Sequence, residues 1–477
     1  MYCKNITGNS IYIEDLDLHI TYDSNEVVFI SSDDIKKSES LQKMLVMGAF
    51  DILSISDERI EKNILRLREK YMEKHKENEE KNLNENTENT ENKNDFSDDL
   101  DVVIRGHFYE AGGYAKVNRN LALGLNKIGV NVEISPVTTK RNDLNEMEVR
   151  ALSALTKKVS SKAIRIDSII PSFSDISPRY SYRILYTTIE AATIPQQTVD
   201  ICNRYDEIWV TSDFCKEILS KYNVKPNIYV FPPSINMSLY NENVKMHFFT
   251  PEPKKFVFLS VFGWSYRKGY DVLLKSYLKE FSGSDDVSLL IVSRFQGSSE
   301  RSKIIQTEIK DYIEKYGGNN PAHIIRCSRV IPEFEMPKIY KACDAFVLPS
   351  RGEGFSLTVC EASLCGIPVI TTNYSGQTMF LNNQNSFPVD IDNLEKLPKG
   401  KMHVHYWDGE LFPSLNSDDF IVRLGKTMRN VYENYEEAKS KNNILKNELK
   451  SGYSITFMSE KIKQRLLYIK NELIKKG

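Results

Sequence analysis

Residues Asp344–Gly376, DAFVLPSRGEGFSLTVCEASLCGIPVITTNYSG, impose a strand–loop–helix–strand unit on this chain. Ala345-Phe346-Val347-Leu348 is a short apolar run that predicts a buried strand. Pro349 stops it, and Ser350-Arg351-Gly352-Glu353-Gly354 predicts a loop whose glycines permit positive φ and close backbone approach. A helix is expected from near Ser356 to Gly366, a residue suited to the left-handed position after a helix. Ile367-Pro368-Val369-Ile370 predicts the next strand, with proline tolerated at its start. Strands separated by helices pair in parallel through crossovers, so the stretch commits this part of the chain to an α/β layer architecture.

The position of the loop suggests its chemistry. Open α/β sheets bind ligands at the carboxyl ends of their strands. The backbone N–H groups of Phe355, Ser356 and Leu357 are expected at a helix N-terminus, which favours a phosphate. Glu353 lies in the loop and Glu361 about one turn into the helix, so both can reach around one phosphate. Carboxylates accept hydrogen bonds from the vicinal hydroxyls of a sugar or a ribose. A phosphate flanked by two hydroxyl-bearing rings describes a sugar nucleotide. The same residues also fit a capped strand–helix junction with surface glutamates.

SRGEGFSLTVCEASLCGIPVITTNYSG resembles the donor-site signature of retaining GT-B-fold glycosyltransferases, in particular glycosyltransferase family 4 (glycosyl transferases group 1). The resemblance is specific over these residues and extends more weakly from about Asp101 to the C-terminus. It implies a GT-B fold, two Rossmann-like doubly wound α/β domains facing a cleft, here with a small N-terminal α+β accessory module. It implies that Glu353 touches the donor sugar and Glu361 the nucleotide ribose, with Gly354, Phe355, Ser356 and Leu357 at the donor. Retention of anomeric configuration is likewise an implication of the family.

Lys+Arg 63 against Asp+Glu 65 gives a net charge of −2 over 477 residues, so no overall field draws nucleic acid or an anionic membrane. No run approaches 18 apolar residues, and MYCKNITGNS lacks a basic-then-apolar signal pattern. The seven cysteines fit no zinc or CxxC spacing and read as buried residues of a reduced protein, expected in the cytoplasm.

Residues 1–56 are expected to form the accessory module. Strands are predicted at Ile11–Ile13 and Val27–Ile30, followed by a helix capped by Ser31–Asp34 and carrying Ile35, Leu41, Met44 and Leu45. Such a module is marginal alone and is expected to dock on a protein partner. Residues 57–99 read as a charged helix and then a polar low-complexity linker, NLNENTENTENKNDFSDD. Residues 100–245 are the expected acceptor domain, 246–430 the donor domain, and 431–477 helices returning to the first domain.

The acceptor domain opens with a strand at Asp101–Ile104, a loop containing Gly112-Gly113, and a helix with Val117, Leu121 and Leu125 on its apolar face. A glycine pair is by itself only a tight turn; the family resemblance implies that it faces the diphosphate and the acceptor. His107 and Glu110 in this loop are candidates for acceptor contact. Further strands are predicted at 130–135, 163–169, 183–187, 207–210 and 228–231. YTTIEAATIPQQTVDICNRYDEIWVTSDFCKEIL resembles a stretch common in bacterial sugar transferases, which makes Glu190 an acceptor-side candidate. The histidine that many family members carry near the sugar has no counterpart here.

In the donor domain, strands are predicted at 256–262, 287–292, 323–327, 344–348, 367–371 and 386–389. Arg267-Lys268, after the first of them, suits a diphosphate. The resemblance implies that they neutralise the leaving group, although the family's arginine usually stands a few residues earlier. It also implies nucleotide-base contact at Arg329-Val330 and sugar contact at Tyr374-Ser375-Gly376. His403-x-His405 has no third ligand in view, no Asp-x-Asp stands in the donor region, and no metal site is expected. The expected activity is transfer from a nucleotide sugar, a UDP- or GDP-sugar serving as co-substrate and no other cofactor being required. The acceptor is left open among glycan, lipid, protein and modified nucleobase. The alternatives are a partner-binding protein with a vestigial sugar site and another GT-B enzyme, such as a sugar-nucleotide epimerase.

Overall fold

The computed structural model describes residues 2–5, 11–13, 18–20, 28–29 and 50–54, and residues 100–474 except 111, 139–143, 145, 157, 160–162, 172–179, 245–251, 295–298, 328–330 and 398–406. The chain divides into two compact units, Met1–Ser97 and Asp98–Gly477. In the first, β1 (Tyr2–Asn5) pairs antiparallel with β4 (Val28–Phe29) and β5 (Phe50–Ser54), while β2 (Ile11–Ile13) and β3 (Leu18–Ile20) form a separate antiparallel pair. The helix expected after Ser31 and the charged helix and linker lie outside the described residues.

The second unit holds two six-stranded parallel sheets. The first sheet runs β11-β10-β9-β8-β6-β7. Its strands are β6 (Asp101–Gly106), β7 (Asn131–Pro136), β8 (Ile164–Ser168), β9 (Tyr182–Thr187), β10 (Glu207–Val210) and β11 (Asn227–Val230). The second runs β14-β13-β12-β15-β16-β17. It is built from β12 (Phe256–Gly263), β13 (Val287–Arg294), β14 (His323–Cys327), β15 (Ala345–Leu348), β16 (Val369–Thr372) and β17 (Phe387–Val389). The central strands β8 and β15 are buried along their whole length, as strands covered by helices on both faces must be.

Order reverses beside β6 in one sheet and beside β12 in the other, where neighbouring strands send their connections to opposite faces. The loops after β6 and β12 therefore open into crevices. The loop after β6 leads into α1 (Gly113–Lys127), and the loop after β12 into a 3-10 turn, Tyr266–Lys268, and then α5 (Tyr270–Glu280). Between them lie α2 (Glu146–Ala154), α3 (Gln196–Cys202) and α4 (Asp213–Ser220) of the first domain.

Two segments tie the domains together. A hairpin, β18 (Leu394–Lys396) with β19 (Leu411–Pro413), leaves the second domain and sinks Leu397, Trp407 and Phe412 among Ile189, Ala191 and Ile194 of the first. Its backbone is anchored there: Ala192 N donates to Leu411 O at 2.8 Å. At the C-terminus, α9 (Asp418–Glu433) and α10 (Tyr435–Gly452) bury Leu424, Met428, Leu445 and Leu449 in the core of the second domain. α11 (Ile455–Tyr468) returns, placing Met458, Ile462 and Leu466 against α1, and the segment Ile469–Ile474 continues the contact through Ile469. The return thus falls at Tyr453-Ser454, later than residue 431. The reason is that the apolar faces of α9 and α10 match the second domain's own helices. α11 is held electrostatically as well: Arg465 Nε lies 3.0 Å from the fully buried Glu207.

Candidate functional site

The centre of the second unit is a cluster of four charges where the two sheets' carboxyl ends meet. Glu353, in the loop after β15, lies with Oε1 2.6 Å from Lys268 Nζ and 3.7 Å from Arg267 Nη1. Arg267 Nη2 is 3.1 Å from Oε1 of Glu190, on the first-domain loop after β9. The sequence-predicted pair Arg267 and Lys268 therefore stands between two carboxylates, one from each domain.

The cluster separates those carboxylates chemically. Burial raises the Glu353 carboxyl, but Lys268 and Arg267 outweigh it and hold it below the ordinary range. Glu190 goes the other way: burial pushes it up, and Arg267, Lys268 and the Trp407 indole reverse only part of that rise. Lys268 is drawn down by burial and by Arg267 beside it, against the pull of Glu353 and Glu190. One carboxyl lowered beside another that is raised gives the two different affinities for a proton, which separates charge stabilisation from proton handling.

The loop around Glu353 fits only because it is rich in glycine. A methyl group at Gly352 would overlap the carbonyl of Glu190, one at Gly354 the hydroxyl of Thr188, and one at Gly376 the carbonyl of Gly354. Thr211 Oγ1 donates to Gly354 O at 3.0 Å, so both threonines of the first domain press on the loop after β15. Ser375 Oγ accepts from Glu353 N at 2.9 Å, and Gly376 N donates to Glu353 O at 2.9 Å, fixing the loop from the β16 side. Tyr374 packs its ring edge-on against Phe214 of α4, 5.4 Å between centroids. Phe355 turns its side chain into the core against Phe380 and Tyr453, so only its backbone faces the loop.

Helix α8 (Leu357–Leu364) begins immediately after, with no side-chain cap. Its N-cap, Ser356, has φ +78°, and Ser375 has φ +67°; among the described residues these are the non-glycine positions in the left-handed region. Such a conformation costs a non-glycine residue roughly 1–2 kcal/mol, and strain of this kind collects at functional loops. The Ser356 hydroxyl is buried and has no hydrogen-bond partner. An uncapped helix start beside an unsatisfied hydroxyl is a seat for an anion. Ser356→Gly removes the strain, and the melting temperature is expected to rise by about 2 °C for a gain of about 1 kcal/mol. A thermal melt with an unchanged or lower midpoint would show that Ser356 is not strained.

Glu361, inside α8, is buried and already engaged. Its Oε1 accepts from Lys116 Nζ at 2.6 Å and its Oε2 from the Tyr340 hydroxyl at 2.9 Å. Lys116 is on α1, one turn after Gly112-Gly113, and also lies 3.6 Å from Glu333; Arg119, one turn further, pairs with that same Glu333. These cross-cleft pairs were not visible in the sequence, where Lys116 and Glu361 stand 245 positions apart.

Gly112 and Gly113 both face open space and take no left-handed conformation, so nothing in the packing demands glycine there. What they leave is an uncapped start to α1 at the cleft. His107 pairs with Glu110 in its own loop at 3.0 Å, apart from the four-charge cluster. The second oxygen of Glu110 is buried and unpartnered. Arg329, Val330, His403 and His405 lie outside the described residues. Among the described residues no group of three His, Cys, Asp or Glu side chains is placed to hold a metal ion, and no helix is long and apolar enough to cross a membrane.

Residues 253–399 match the family model for glycosyl transferases group 1, which takes in the second sheet, the cation pair and both glutamates. Over these residues the second domain is similar to that family. The chain is 31% identical to sucrose synthase 2 of Hordeum vulgare over 157 residues, 31% of this chain and 19% of that one. It is 25% identical to D-inositol 3-phosphate glycosyltransferase of Thermobispora bispora over 194 residues, 38% of this chain and 42% of the other. The chain thus spans less than half the length of these curated relatives. Among solved structures, sucrose-phosphate synthase from Thermosynechococcus elongatus superposes with a TM-score of 0.56 at 14% identity, over 78% of this chain and all of the other. Anabaena HepE in complex with UDP-glucose gives 0.55 at 12% identity, over 77% and 99%. At such identities the likeness is one of fold. The chain has the GT-B fold, with the domain similar to glycosyl transferases group 1 as its second half.

Proposed function

We propose that this chain transfers a glycosyl group from a nucleoside diphosphate sugar to an acceptor hydroxyl, with retention at the anomeric carbon. The observation that carries the proposal is Lys268 and Arg267 set against Glu353 beside the uncapped, strained start of α8. Breaking the bond between the anomeric carbon and the diphosphate leaves negative charge on the departing oxygen. Lys268, Arg267 and the first N–H groups of α8 converge where that charge develops, and fixed donors there lower the barrier without reorganising. Ionised Glu353 accepts hydrogen bonds from the donor sugar's hydroxyls, and Glu361 accepts from the ribose, holding the reacting atoms in line. Glu190, reaching in from the first domain, receives the acceptor hydroxyl.

Thermal-shift and nucleotide-release assays with UDP-, GDP-, ADP- and TDP-sugars test the reading. UDP-glucose comes first, because HepE, which shares the fold, is described with it. At least one nucleotide sugar is expected to raise the melting temperature and to release its nucleoside diphosphate. Absence of both effects across the panel would sink the proposal.

Glu190 gives the reading a pH signature. Its carboxyl sits above the ordinary range, and only the ionised form can take the proton of the acceptor hydroxyl as its oxygen bonds to the anomeric carbon. Transfer to acceptor is expected to fall as pH drops through that raised value, with Glu190→Gln abolishing this limb and lowering kcat/KM for the acceptor by about 10–100-fold. A variant that keeps the wild-type acid limb would remove Glu190 from the acceptor side.

A further inference from the structure

Arg351 lies in the donor loop, two residues before Glu353, and its side chain is completely buried. A guanidinium hidden in a loop otherwise built for a ligand needs an explanation, because a buried charge is costly unless it is fully answered. The charge is paired with one acid: Nη1 and Nη2 donate to Oδ1 and Oδ2 of Asp271 in a two-pronged pair, 2.8 Å each, while the buried Nε has no partner. Nη1 also donates to the Tyr266 carbonyl at 2.6 Å, and the guanidinium carbon lies over the Tyr266 ring, 3.7 Å from its centroid.

All of these partners belong to one short segment. Tyr266 opens the 3-10 turn that carries Arg267 and Lys268, and Asp271 is in the first turn of the helix that follows it. Arg351 therefore grips the cation-bearing turn from both ends. The backbone repeats the grip: Arg351 N donates to Arg267 O at 2.6 Å, and Ser350 Oγ donates to the same carbonyl at 3.2 Å. Gly269, at φ +71°, sits so close to the Pro349 carbonyl that no Cβ fits between them.

We propose that Arg351 and Asp271 are a positioning pair that sets Lys268 and Arg267 against Glu353. The inference rests on the glycosyltransferase reading, since it assigns the pair's task to the departing diphosphate. Neither residue reaches the ligand; their effect passes through the turn. The planar fork matters more than the charge, because lysine cannot span both oxygens of Asp271. A cation displaced by about an ångström loses on the order of a hundredfold in rate.

The test is nucleotide release from a nucleotide sugar by the full chain, with kcat and KM measured separately and folding checked by thermal melt. Arg351→Lys is expected to lower kcat about 30–100-fold while donor KM stays within about threefold. The decisive readout is coupling. Lys268→Met should be severe in the wild-type background and nearly silent, within about fivefold, beside Arg351→Lys, because the ammonium it removes is already misplaced. Asp271→Asn, which keeps the shape and one acceptor, supplies the same cycle if Arg351→Lys fails to fold. Penalties that multiply in full, or a kcat within threefold of wild type in the single variant, would overturn the positioning role. Release by no nucleotide sugar even in the wild-type chain would overturn the glycosyltransferase reading and the role with it.

Discussion

Lys268→Met is expected to reduce the rate of nucleotide release by about a hundred- to a thousandfold, the usual consequence of deleting one fixed donor to developing negative charge. The methionine keeps the length and the apolar stem, so the loss isolates the ammonium. Steady-state kinetics on the donor identified by the nucleotide panel provides the measurement, and a loss below tenfold would remove Lys268 from the leaving-group site. The variant also has a stability signature whose sign follows from the charge cluster. Glu353 is held below the ordinary carboxylate range by Lys268 and Arg267 against the upward push of burial. Its contribution to stability is therefore present above that ordinary range and is lost as pH falls through the lowered native value. Taking Lys268 away shrinks the downward shift, so the variant should lose less stability than wild type on acidification.

Glu361→Gln is expected to weaken nucleoside diphosphate binding by about 10–100-fold, the worth of hydrogen bonds to a charged acceptor. The melting temperature should drop only by a few degrees. Glutamine preserves an acceptor for the Tyr340 hydroxyl, and Lys116 keeps the Tyr240 hydroxyl at 2.9 Å and Glu333 at 3.6 Å as partners. Calorimetric titration with the nucleoside diphosphate, set beside a thermal melt, separates the two effects. Unchanged affinity together with a lower melting temperature would make Glu361 the anchor of an interdomain ion pair and nothing more. The buried position of Glu361, between Lys116 and Tyr340, makes that comparison necessary.

Much of the second unit was legible because its signals are local. Glu207–Val210 and His323–Cys327 were read to the residue, since a short apolar run between turn formers has few alternatives to a strand. Gly366 was read as a helix stop, and it takes φ +91°. The two glutamates stand out in the sequence because they bracket one loop and helix, and their donor role is what the family resemblance implies. Other features had no such signal. Arg351 was in plain view within the donor motif, but nothing local distinguishes a solvated arginine from one buried over Tyr266. The hairpin carrying Trp407 and Phe412 into the first domain left no pattern, because its partners Ile189 and Ala191 stand more than 200 positions earlier.

The sequence by itself determined the α/β layers, the donor loop and the identity of its charged residues, because hydrophobic period, glycine placement and motif spacing act over a few residues. Only the tertiary structure decided how those charges are spent. It set Glu190 against Arg267, gave Glu361 to Lys116, and hid Arg351 beneath the cations it supports. Each of these is a contact between residues far apart in the chain, and an ion pair's strength depends on distance and burial, which exist only once the two sheets have closed on each other.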